Sequence, residues 1–278
     1  MPIRLLAVDL DGTLLNGKSE LSAANRQALR AAAGRGVQVV VVTGRRCHSA
    51  KIYLDQIPCP VVLIASNGAR IGSPSGEVFH RNFLPQHLAR GVLEDARDFR
   101  PYAVAIFDTP ERGQVIMEES AVSEGPLGWY LKNSLRCLLQ VPDLPAAIST
   151  DPVQVMFGGP PSRIEPAEAL LRASSAGASV HLTWTKYLDR NTSILDVMNK
   201  GCSKGSALKL WAERCGIHHE EIMAIGDNFN DLEMLEYSGH PVVMANSSPG
   251  LRRNGWIMTL SNDQDGVARA IEAHVLSG

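Results

Sequence analysis

The sequence predicts a doubly wound, Rossmann-like parallel-sheet core with a smaller α+β domain inserted into it. Short apolar runs recur along the chain, namely "RLLAVDL" (4–10), "VQVVVV" (37–42), "VVLIAS" (61–66), "IMAIGD" (222–227), "PVVMAN" (241–246) and "WIMTL" (256–260). These runs are apolar throughout instead of alternating, which is typical of parallel strands that are covered on both faces. Stretches with helical character separate them, and this alternation indicates a doubly wound α/β domain.

Two of the intervening helices are marked by their ends. Ser22 can cap the helix "AANRQALRAAAGRG", which we expect to stop at Gly34 or Gly36. In the same way, "SKGSALKLWAERCG" is expected to start near Ser203 and to end at Gly216.

The middle of the chain has a different pattern. We predict that residues 83–187 form the inserted domain, whereas 1–82 and 188–278 form the core. The expected elements of the insert are a helix in "PQHLARGVLEDARDF", two strands around the turn "DTPERG", a helical piece near 127–139, a strand "VQVMFGG", a helix across 162–175 and a strand "SVHLTW". About 100 residues of mixed helix and strand can form a small domain. Three independent pieces are the alternative, which is disfavoured because the early and late strands are too few to close separate sheets.

Composition and charge exclude several classes of protein. Among 278 residues, 27 Lys plus Arg stand against 29 Asp plus Glu, and a net charge of −2 gives no global attraction for nucleic acid or an anionic membrane. No apolar run approaches the ~18 residues of a transmembrane helix, and the first residues lack a signal-peptide pattern. The five cysteines are widely spaced without a CxxC pair, which favours free thiols in a reducing compartment. We therefore expect a cytoplasmic protein without nucleic-acid or membrane partners.

Polar residues follow the carboxyl ends of the predicted parallel strands. They are Asp9 and Asp11, "TGRR" from Thr43, "SNG" from Ser66, "GDNFND" from Gly226 and "ANSS" from Ala245. Carboxyl ends of parallel strands lie on one edge of a sheet, where open α/β folds bind ligands. The clusters therefore predict a pocket at this edge.

Each cluster also has a plain structural alternative. "DLDG" could be a turn after a solvated strand end, and Thr43 could cap the next helix. "GDNFND" could start a helix with Asn230 as its cap and Glu233 in a capping box. Lys204 at a helix start opposes the helix dipole, which is mildly unfavourable but does not require a functional explanation. These alternatives would have to hold at four sites in order on the same edge, which favours a shared function.

The combined chemistry of the clusters indicates a site for a phosphate and a metal ion. Oxygen ligands suit a hard cation such as Mg²⁺. The sequence offers Asp9, Asp11, Asp227, Asp231, Asn228 and Asn230. The ammonium group of Lys204, the hydroxyl of Thr43 and backbone amides at helix starts suit a phosphate.

Four motifs carry a resemblance to a known family. "DLDGTLL", "TGR", the lysine of "CSKGSAL" and "GDNFNDLEML" resemble, in their usual order, the motifs of the haloacid dehalogenase-like phosphatases. The insert and the ending "PVVMANSSPGLRRNGWIMTLSNDQDGVARAI" are similar to the Cof-type branch, which has an α/β cap between the second and third motifs. The resemblance implies a Mg²⁺-dependent phosphatase that hydrolyses a small phosphate monoester, such as a sugar phosphate.

Carried over position by position, the resemblance implies roles for the acidic residues. Asp9 would be the nucleophile that forms an aspartyl phosphate, and Asp11 would be the acid and then the base. Mg²⁺ would be held by the carboxylates of Asp9 and Asp227 and by the backbone carbonyl of Asp11, with Asp231 supporting its waters.

The resemblance also implies a phosphate-binding set. Thr43 and Lys204 would bind the oxygens of the transferring phosphoryl group, and Gly44 belongs to the same set. Asn230, Arg45 and Asn67 complete the candidates. Arg45 could instead be a surface charge and Asn67 part of an Asn-Gly turn.

Other functions stay open at this point. A phosphomutase of the same superfamily would keep Asp9 and Asp11 but return the phosphoryl group to a sugar. A metabolite-binding or regulatory protein could have lost turnover. A response-receiver domain also combines acids, a lysine and Mg²⁺, but it is far shorter and has no insert. The expected partner is a small phosphorylated metabolite, and the chain is expected to be a monomer or a small homo-oligomer.

Two stretches depart from the expected pattern. The segment "KYLDRNTSILDVMNKG" is longer and more polar than an exit from the insert, so that Asp189, Arg190 and Asn191 could be substrate contacts or hinge residues. Ser247 in "ANSS" stands where the family more often has alanine, and we expect it in a surface loop.

Overall fold

A computed structural model describes residues 1–109, 112–121, 128, 131, 134–187 and 191–277 of the chain. The strands in these ranges are β1 Leu5–Asp9, β2 Gln38–Val42, β3 Val61–Ala65, β4 Arg70–Gly72, β5 Val78–Arg81, β6 Ala103–Ile106, β7 Val115–Glu118, β8 Leu138–Val141, β9 Gln154–Gly159, β10 Val180–Tyr187, β11 Thr192–Asn199, β12 Ile222–Gly226, β13 His240–Val243 and β14 Ile257–Met258. The α-helices are α1 Ala23–Gly34, α2 Cys47–Leu54, α3 Gln86–Asp95, α4 Leu144–Ala147, α5 Pro161–Ala173, α6 Lys204–Arg214, α7 Leu232–Tyr237 and α8 Gly266–Ile271. The chain divides into two compact units, a core unit (Met1–Arg81 with Ser203–Gly278) and an inserted unit (Asn82–Cys202).

The core unit contains an eight-stranded sheet in the order β14-β13-β12-β1-β2-β3-β4-β5. The central strand β1 is parallel to both neighbours, with Leu5 opposite Ile222 of β12 and Gln38 of β2. All pairs from β14 to β3 are parallel. The predicted doubly wound α/β fold is confirmed, because the continuously apolar strands are covered on both faces.

Alternate residues of β1 face two different helix layers. Leu6 packs in a cluster with residues of α1, α2 and α8, whereas Leu5 packs in a second cluster with residues of α6 and α7. Both leucines are fully buried, and burial of a leucine side chain contributes about 1.5–3 kcal/mol. The end of β1, where Asp9 lies, is therefore held rigidly between the two layers.

The two helix boundaries predicted from capping residues are confirmed. The Ser22 hydroxyl oxygen accepts a hydrogen bond from the Asn25 N–H at 3.0 Å, and α1 ends at Gly34. Helix α6 follows Ser203 and ends just before Gly216, whose φ of +62° requires a residue that tolerates the left-handed region.

Strands β4 and β5 were missed in the sequence analysis. They extend the sheet beyond β3 as an antiparallel pair. β4 has three residues, of which one is an arginine and one a glycine, so the sequence contains no apolar run that would predict this strand.

The inserted unit contains a six-stranded sheet in the order β10-β11-β9-β6-β7-β8. One face of this sheet packs against α3, α4 and α5 around Phe157 and Leu195. The elements predicted at 85–99, on both sides of 108–113, at 153–159, 162–175 and 179–184 are present as α3, β6 with β7, β9, α5 and β10. Within the predicted turn 108–113, Pro110 and Glu111 lie outside the described residues.

Strand β11 is the main departure from the predicted elements of the insert. The expected exit at 188 is followed by a strand that pairs with both β10 and β9, and the inserted unit extends to Cys202. β11 is buried from Thr192 to Met198, although Ser193 and Asp196 interrupt its apolar pattern and conceal it in the sequence. Asp189 and Arg190, two candidates for substrate contacts or a hinge, lie outside the described residues, and Asn191 has a φ of +46°.

The helical piece predicted near 127–139 falls largely outside the described residues. In its described end, residues 135–137 form a 3₁₀ turn, and Leu138 and Leu139 begin β8, which is parallel to β7. No described helix combines the length and apolar character needed to cross a membrane. The five cysteines, all in the described ranges, form no disulfide bonds.

Candidate active site

Lys204 lies at the centre of the charged residues that the core sheet brings together. Its Nζ donates hydrogen bonds to Asp9 Oδ1 and to Asp231 Oδ1, both at 2.6 Å, and the three residues are almost completely buried. Burial alone would lower the pKa of Lys204, but the negative charges of Asp231 and Asp9 outweigh it and raise the pKa above its ordinary value. The side chain is therefore a permanent cation next to the end of β1.

The start of helix α6 fixes the position of Lys204. The Ser203 hydroxyl oxygen accepts from the Ser206 N–H at 3.1 Å, and the Ser206 hydroxyl oxygen accepts from the Ser203 N–H at 2.9 Å. Ser203 Oγ also donates to Glu233 of α7. A Cβ at Gly205 would lie 2.6 Å from the carbonyl carbon of Glu233, so the glycine permits the close approach of α6 and α7. A lysine in the first turn opposes the helix dipole, and its two carboxylate partners offset that cost.

Three carboxylates form the acidic part of the site. One oxygen each from Asp9, Asp227 and Asp231 lies within 4.8 Å of the others. Burial, and then the charge of Asp231, raises the pKa of Asp9 well above its ordinary value, while Lys204 opposes this. The same two causes raise the pKa of Asp227 to about 7, although Thr13 donates a hydrogen bond to it at 2.9 Å. Lys204 contacts two of these carboxylates, and its single charge cannot balance all three when they are ionised.

Asp231 also organises the loop after β12. Its Oδ2 accepts from the N–H groups of Asp227 at 2.9 Å and Asn228 at 3.0 Å. Asn228 and Asp231 therefore form the capping box of this loop, which corrects the alternative with Asn230 and Glu233 in those positions. The Glu233 side chain is instead directed to Ser203.

The residues present fit a divalent cation. Hard carboxylate oxygens in excess of the available positive charge are the donors that Mg²⁺ prefers. Gly12 lies directly against the Asp227 carboxylate, and a Cβ there would overlap it. Its φ of +79° also favours glycine. Asp9 and Asp227 are the residues that would hold the ion, since Asp231 is already engaged by Lys204 and two backbone N–H groups.

The raised carboxylate pKa values predict how pH changes the stability of the metal-free protein. Asp227 has an ordinary pKa of 3.8 and a folded pKa of about 7, so the stability that its neutral form gives is complete below about pH 4 and lost as pH rises through 7. A divalent cation binds the ionised carboxylates, and its stabilisation therefore grows with pH. We expect Mg²⁺ to raise the melting temperature, relative to EDTA, more at pH 8 than at pH 5.5.

The Asp227→Asn variant provides the control for this expectation. It should reduce both the pH dependence in EDTA and the effect of Mg²⁺ at pH 8. An equal shift by Mg²⁺ at both pH values would contradict the assignment of this cluster as the cation site.

The segment Thr43–Arg45 follows β2 at the same edge. Thr43 is buried, and its hydroxyl oxygen accepts from the Arg45 N–H at 3.0 Å. It does not cap α2, because Arg46 occupies the cap position. A Cβ on Gly44 would lie 3.0 Å from Asn67 Oδ1, so the loop lies directly against Asn67.

Arg45 contacts Asp11 in a two-pronged geometry. Arg45 Nε donates to Asp11 Oδ2 and Nη2 donates to Oδ1, both at 2.6 Å. Burial would lower the pKa of Arg45, but the hydrogen bonds and charge of Asp11 raise it above its ordinary value. The alternative of Arg45 as a surface charge is wrong, because the side chain is mostly buried and is paired with Asp11.

The turn Ser66–Gly68 joins three segments of the site. The Asn67 N–H donates to Thr43 O at 3.1 Å, and Asn230 Nδ2 donates to Asn67 Oδ1 at 3.0 Å. A Cβ on Gly68 would overlap the carbonyl of Ser203, which precedes Lys204. Ser66 and Asn67 both have left-handed backbone conformations, with φ of 50° and 52°, a strain that clusters at functional sites. The Asn-Gly turn given as the alternative is present, but Asn67 is buried in it and contacts both Thr43 and Asn230.

Three residues near the site were not named as candidates in the sequence analysis, although one of them, Asn246, lies in the strand-end cluster "ANSS". Asn246 Nδ2 donates to Gly12 O at 2.8 Å, and Asn262 Nδ2 donates to Leu15 O at 2.9 Å. Asp263 Oδ1 accepts from the Gly17 N–H at 2.8 Å. These side chains hold the loop that follows Asp9. "ANSS" placed Asn246 at a strand end, whereas the sequence analysis found no sign for Asn262 and Asp263.

Ser247, expected in a surface loop, is buried. It follows Asn246 directly, and the Ser247 N–H donates to Met244 O at 3.0 Å. The tight turn after β13 therefore draws the residue into the core unit.

Comparison with known proteins agrees with this architecture. The family model of haloacid dehalogenase-like hydrolases matches residues 6–271. Phosphatase YwpJ of Bacillus subtilis (strain 168) is 29% identical over 99% of this chain and 100% of its own. HMP-PP phosphatase of Serratia proteamaculans (strain 568) is 32% identical over 90% of this chain and 86% of its own. The solved structure of BT1666, a phosphatase of the HAD superfamily from Bacteroides thetaiotaomicron, has a TM-score of 0.80 and 25% identity over 98% of this chain and 95% of its own.

The core unit gathers aspartates and a lysine at the carboxyl edge of its parallel sheet, and the family model matches almost the whole chain. Together these findings indicate a hydrolase. The chain belongs to the haloacid dehalogenase-like hydrolase family. Within the family it is a Cof-type phosphatase, as the motif resemblance predicted.

Proposed function

We propose that the protein is a Mg²⁺-dependent phosphatase that hydrolyses a small phosphate monoester through an aspartyl-phosphate intermediate. The observation that carries the proposal is the buried contact of Lys204 with Asp9, beside the carboxylate of Asp227. An anionic nucleophile next to a fixed cation and a cation-binding carboxylate is suited to attack on an anionic phosphate.

The first half-reaction uses the two aspartates at the end of β1. An oxygen of Asp9 attacks phosphorus and forms the P–O bond of the aspartyl phosphate, while the bond to the ester oxygen breaks. Asp11 gives its proton to that leaving oxygen. Lys204, the Thr43 hydroxyl and the Gly44 N–H stabilise the oxygens of the transferring group.

The second half-reaction restores the enzyme. Asp11, now ionised, accepts a proton from the water that attacks phosphorus, and the bond between phosphorus and Asp9 breaks. Bound Mg²⁺, held by Asp9, Asp227 and the backbone carbonyl of Asp11, would offset the repulsion between carboxylates and phosphate. Asp231 and Asn230 position this arrangement through Lys204 and Asn67.

The proposed substrate is a small phosphorylated metabolite, such as a sugar phosphate. The relatives are named as phosphatases, one of them for HMP-PP, which supports a small-molecule substrate. We also propose that the protein is cytoplasmic and that it is a monomer or a small homo-oligomer.

A panel of phosphorylated metabolites with Mg²⁺ tests this function by release of inorganic phosphate. Phosphate should appear in proportion to the substrate lost, and EDTA should stop its release. Conversion of one sugar phosphate to another without free phosphate would favour the phosphomutase instead. Binding without turnover of any panel member would favour a regulatory protein.

The Asp11→Asn variant tests the proposed acid and base. We expect turnover to fall by roughly 10² to 10⁴, while stabilisation by Mg²⁺ stays nearly unchanged because the proposed ligand at this position is the backbone carbonyl. Steady-state rates and melting curves with Mg²⁺ measure the two effects. Asp55→Asn, at the exposed aspartate that directly follows α2, is the matched control, and full activity of Asp11→Asn would exclude the role.

A further inference from the structure

We propose that Arg45, supported by Tyr53, is a positioning residue for Asp11 that governs protonation of the leaving group and not the binding of phosphate. The inference rests on the proposed function, in which Asp11 protonates the ester oxygen. It assigns Arg45 a different task from that of Lys204 and Thr43.

The guanidinium fixes the Asp11 carboxylate by contacts to both of its oxygens. Two parallel hydrogen bonds of 2.6 Å join the groups, and this planar fork holds a carboxylate in one rotational position. The Asp11 side chain is 38% exposed, so packing alone would leave it mobile. Orientation of a proton donor toward one ester oxygen therefore depends on Arg45.

Arg45 is itself held from several sides. Its guanidinium carbon lies 4.6 Å from the centre of the Tyr53 ring, and Nη1 donates to the Tyr53 hydroxyl at 3.4 Å. Its backbone carbonyl accepts from the Ser66 N–H at 2.9 Å, and its N–H donates to Thr43 Oγ1 at 3.0 Å. The residue is therefore a rigid support on the same turn that carries Thr43.

The geometry also argues against a role in phosphate binding. The Nε and Nη2 edge of a guanidinium is the edge that matches a phosphate in a bidentate contact, and Asp11 occupies that edge. Lys204 instead donates a hydrogen bond to Asp9, the proposed nucleophile. The two cations therefore serve different carboxylates.

Leaving groups of different acidity separate these roles. An alkoxide leaves poorly without a proton, whereas p-nitrophenolate leaves readily as an anion. Loss of a correctly placed proton donor should therefore slow an alkyl phosphate much more than p-nitrophenyl phosphate. Loss of phosphate binding should affect both esters equally, because they share the phosphoryl group.

The experiment compares Arg45→Lys with the wild-type enzyme on p-nitrophenyl phosphate and on the best alkyl phosphate of the metabolite panel. Arg45→Lys keeps the charge but loses the fork. We expect kcat for the alkyl ester to fall by about 10- to 100-fold, and kcat for the aryl ester by less than about threefold, with KM nearly unchanged. In an Asp11→Asn background the same substitution should change kcat by less than about twofold, because its effect passes through Asp11.

Two further variants complete the test. Tyr53→Leu should show the same preference for the aryl ester to a smaller degree, and Arg30→Lys, at an exposed arginine of α1, should leave both rates unchanged. Equal losses on both esters with raised KM and weaker inhibition by inorganic phosphate would show that Arg45 binds phosphate. If Arg45→Lys lowers kcat equally for both esters, and does so in the Asp11→Asn background as well, Arg45 has a merely structural role. Either result overturns the role of Arg45 and leaves the proposed function intact. A wild-type enzyme that releases no phosphate would overturn both.

Discussion

Replacement of Asp9 by asparagine is expected to reduce phosphate release by about 10⁵-fold or more, since removal of a nucleophile costs rates of this order. Asparagine has nearly the same shape, and its Oδ1 can still accept the hydrogen bond that Lys204 donates to Asp9. The substitution also removes one charge from a cluster in which burial, and then repulsion by Asp231, raises the pKa of Asp9. We therefore expect the metal-free variant to melt at the same temperature as the wild type, or at a higher one, while its activity disappears.

The test of Asp9→Asn is whether phosphate release is lost while the melting temperature stays the same or rises. Phosphate release should be followed with high enzyme concentration and rigorously purified protein, and melting curves should be recorded in EDTA and in Mg²⁺. Asp55→Asn again serves as the matched control at an exposed carboxylate. Ester cleavage that continues undiminished in Asp9→Asn would remove the basis of the proposed mechanism.

The parts of the fold that the sequence predicted are those in which local pattern decides structure. β1 is apolar from Leu5 to Val8 and ends at Asp9, so its burial and the position of the acid follow from the local sequence alone. Ser22 and Ser203 mark helix starts by a local hydrogen bond. These signals involve residues within one turn of each other.

The parts that could not be predicted depend on contacts between distant residues. Arg45 and Asp11 are 34 positions apart, and the sequence states only that one is basic and the other acidic. Gly12 and Asn246 are 234 positions apart, so "ANSS" places Asn246 at a strand end but does not show that it supports the first loop. β11 was missed because Asp196 is buried in it and accepts a hydrogen bond from Gln154 at 2.5 Å, a tertiary compensation that a hydropathy pattern does not contain.

The Lys204→Met variant is expected to lose both catalysis and stability. Removal of a preorganised charge beside the transferring group should lower kcat/KM by about 10²- to 10³-fold. Because Asp9 and Asp231 would be left buried without their common cation, the free energy of unfolding should fall by about 3–5 kcal/mol, as for other broken buried ion pairs. The loss of stability should be larger at pH 8 than at pH 5.5, because protonation of Asp227, whose pKa is about 7, relieves the repulsion in the cluster at the lower pH.

Mg²⁺ separates the two effects of this substitution. A cation at the carboxylates should restore part of the lost stability, since it replaces a positive charge, but it should not restore the rate, which requires Lys204 at the phosphoryl oxygens. Chemical denaturation with and without Mg²⁺, together with kcat and KM, measures both. Lys209→Met on the outer face of α6, where the lysine is 58% exposed, should change neither quantity. Unchanged kcat and KM in Lys204→Met would place the lysine outside the reaction, and an unchanged unfolding free energy would mean that the buried carboxylates do not depend on it.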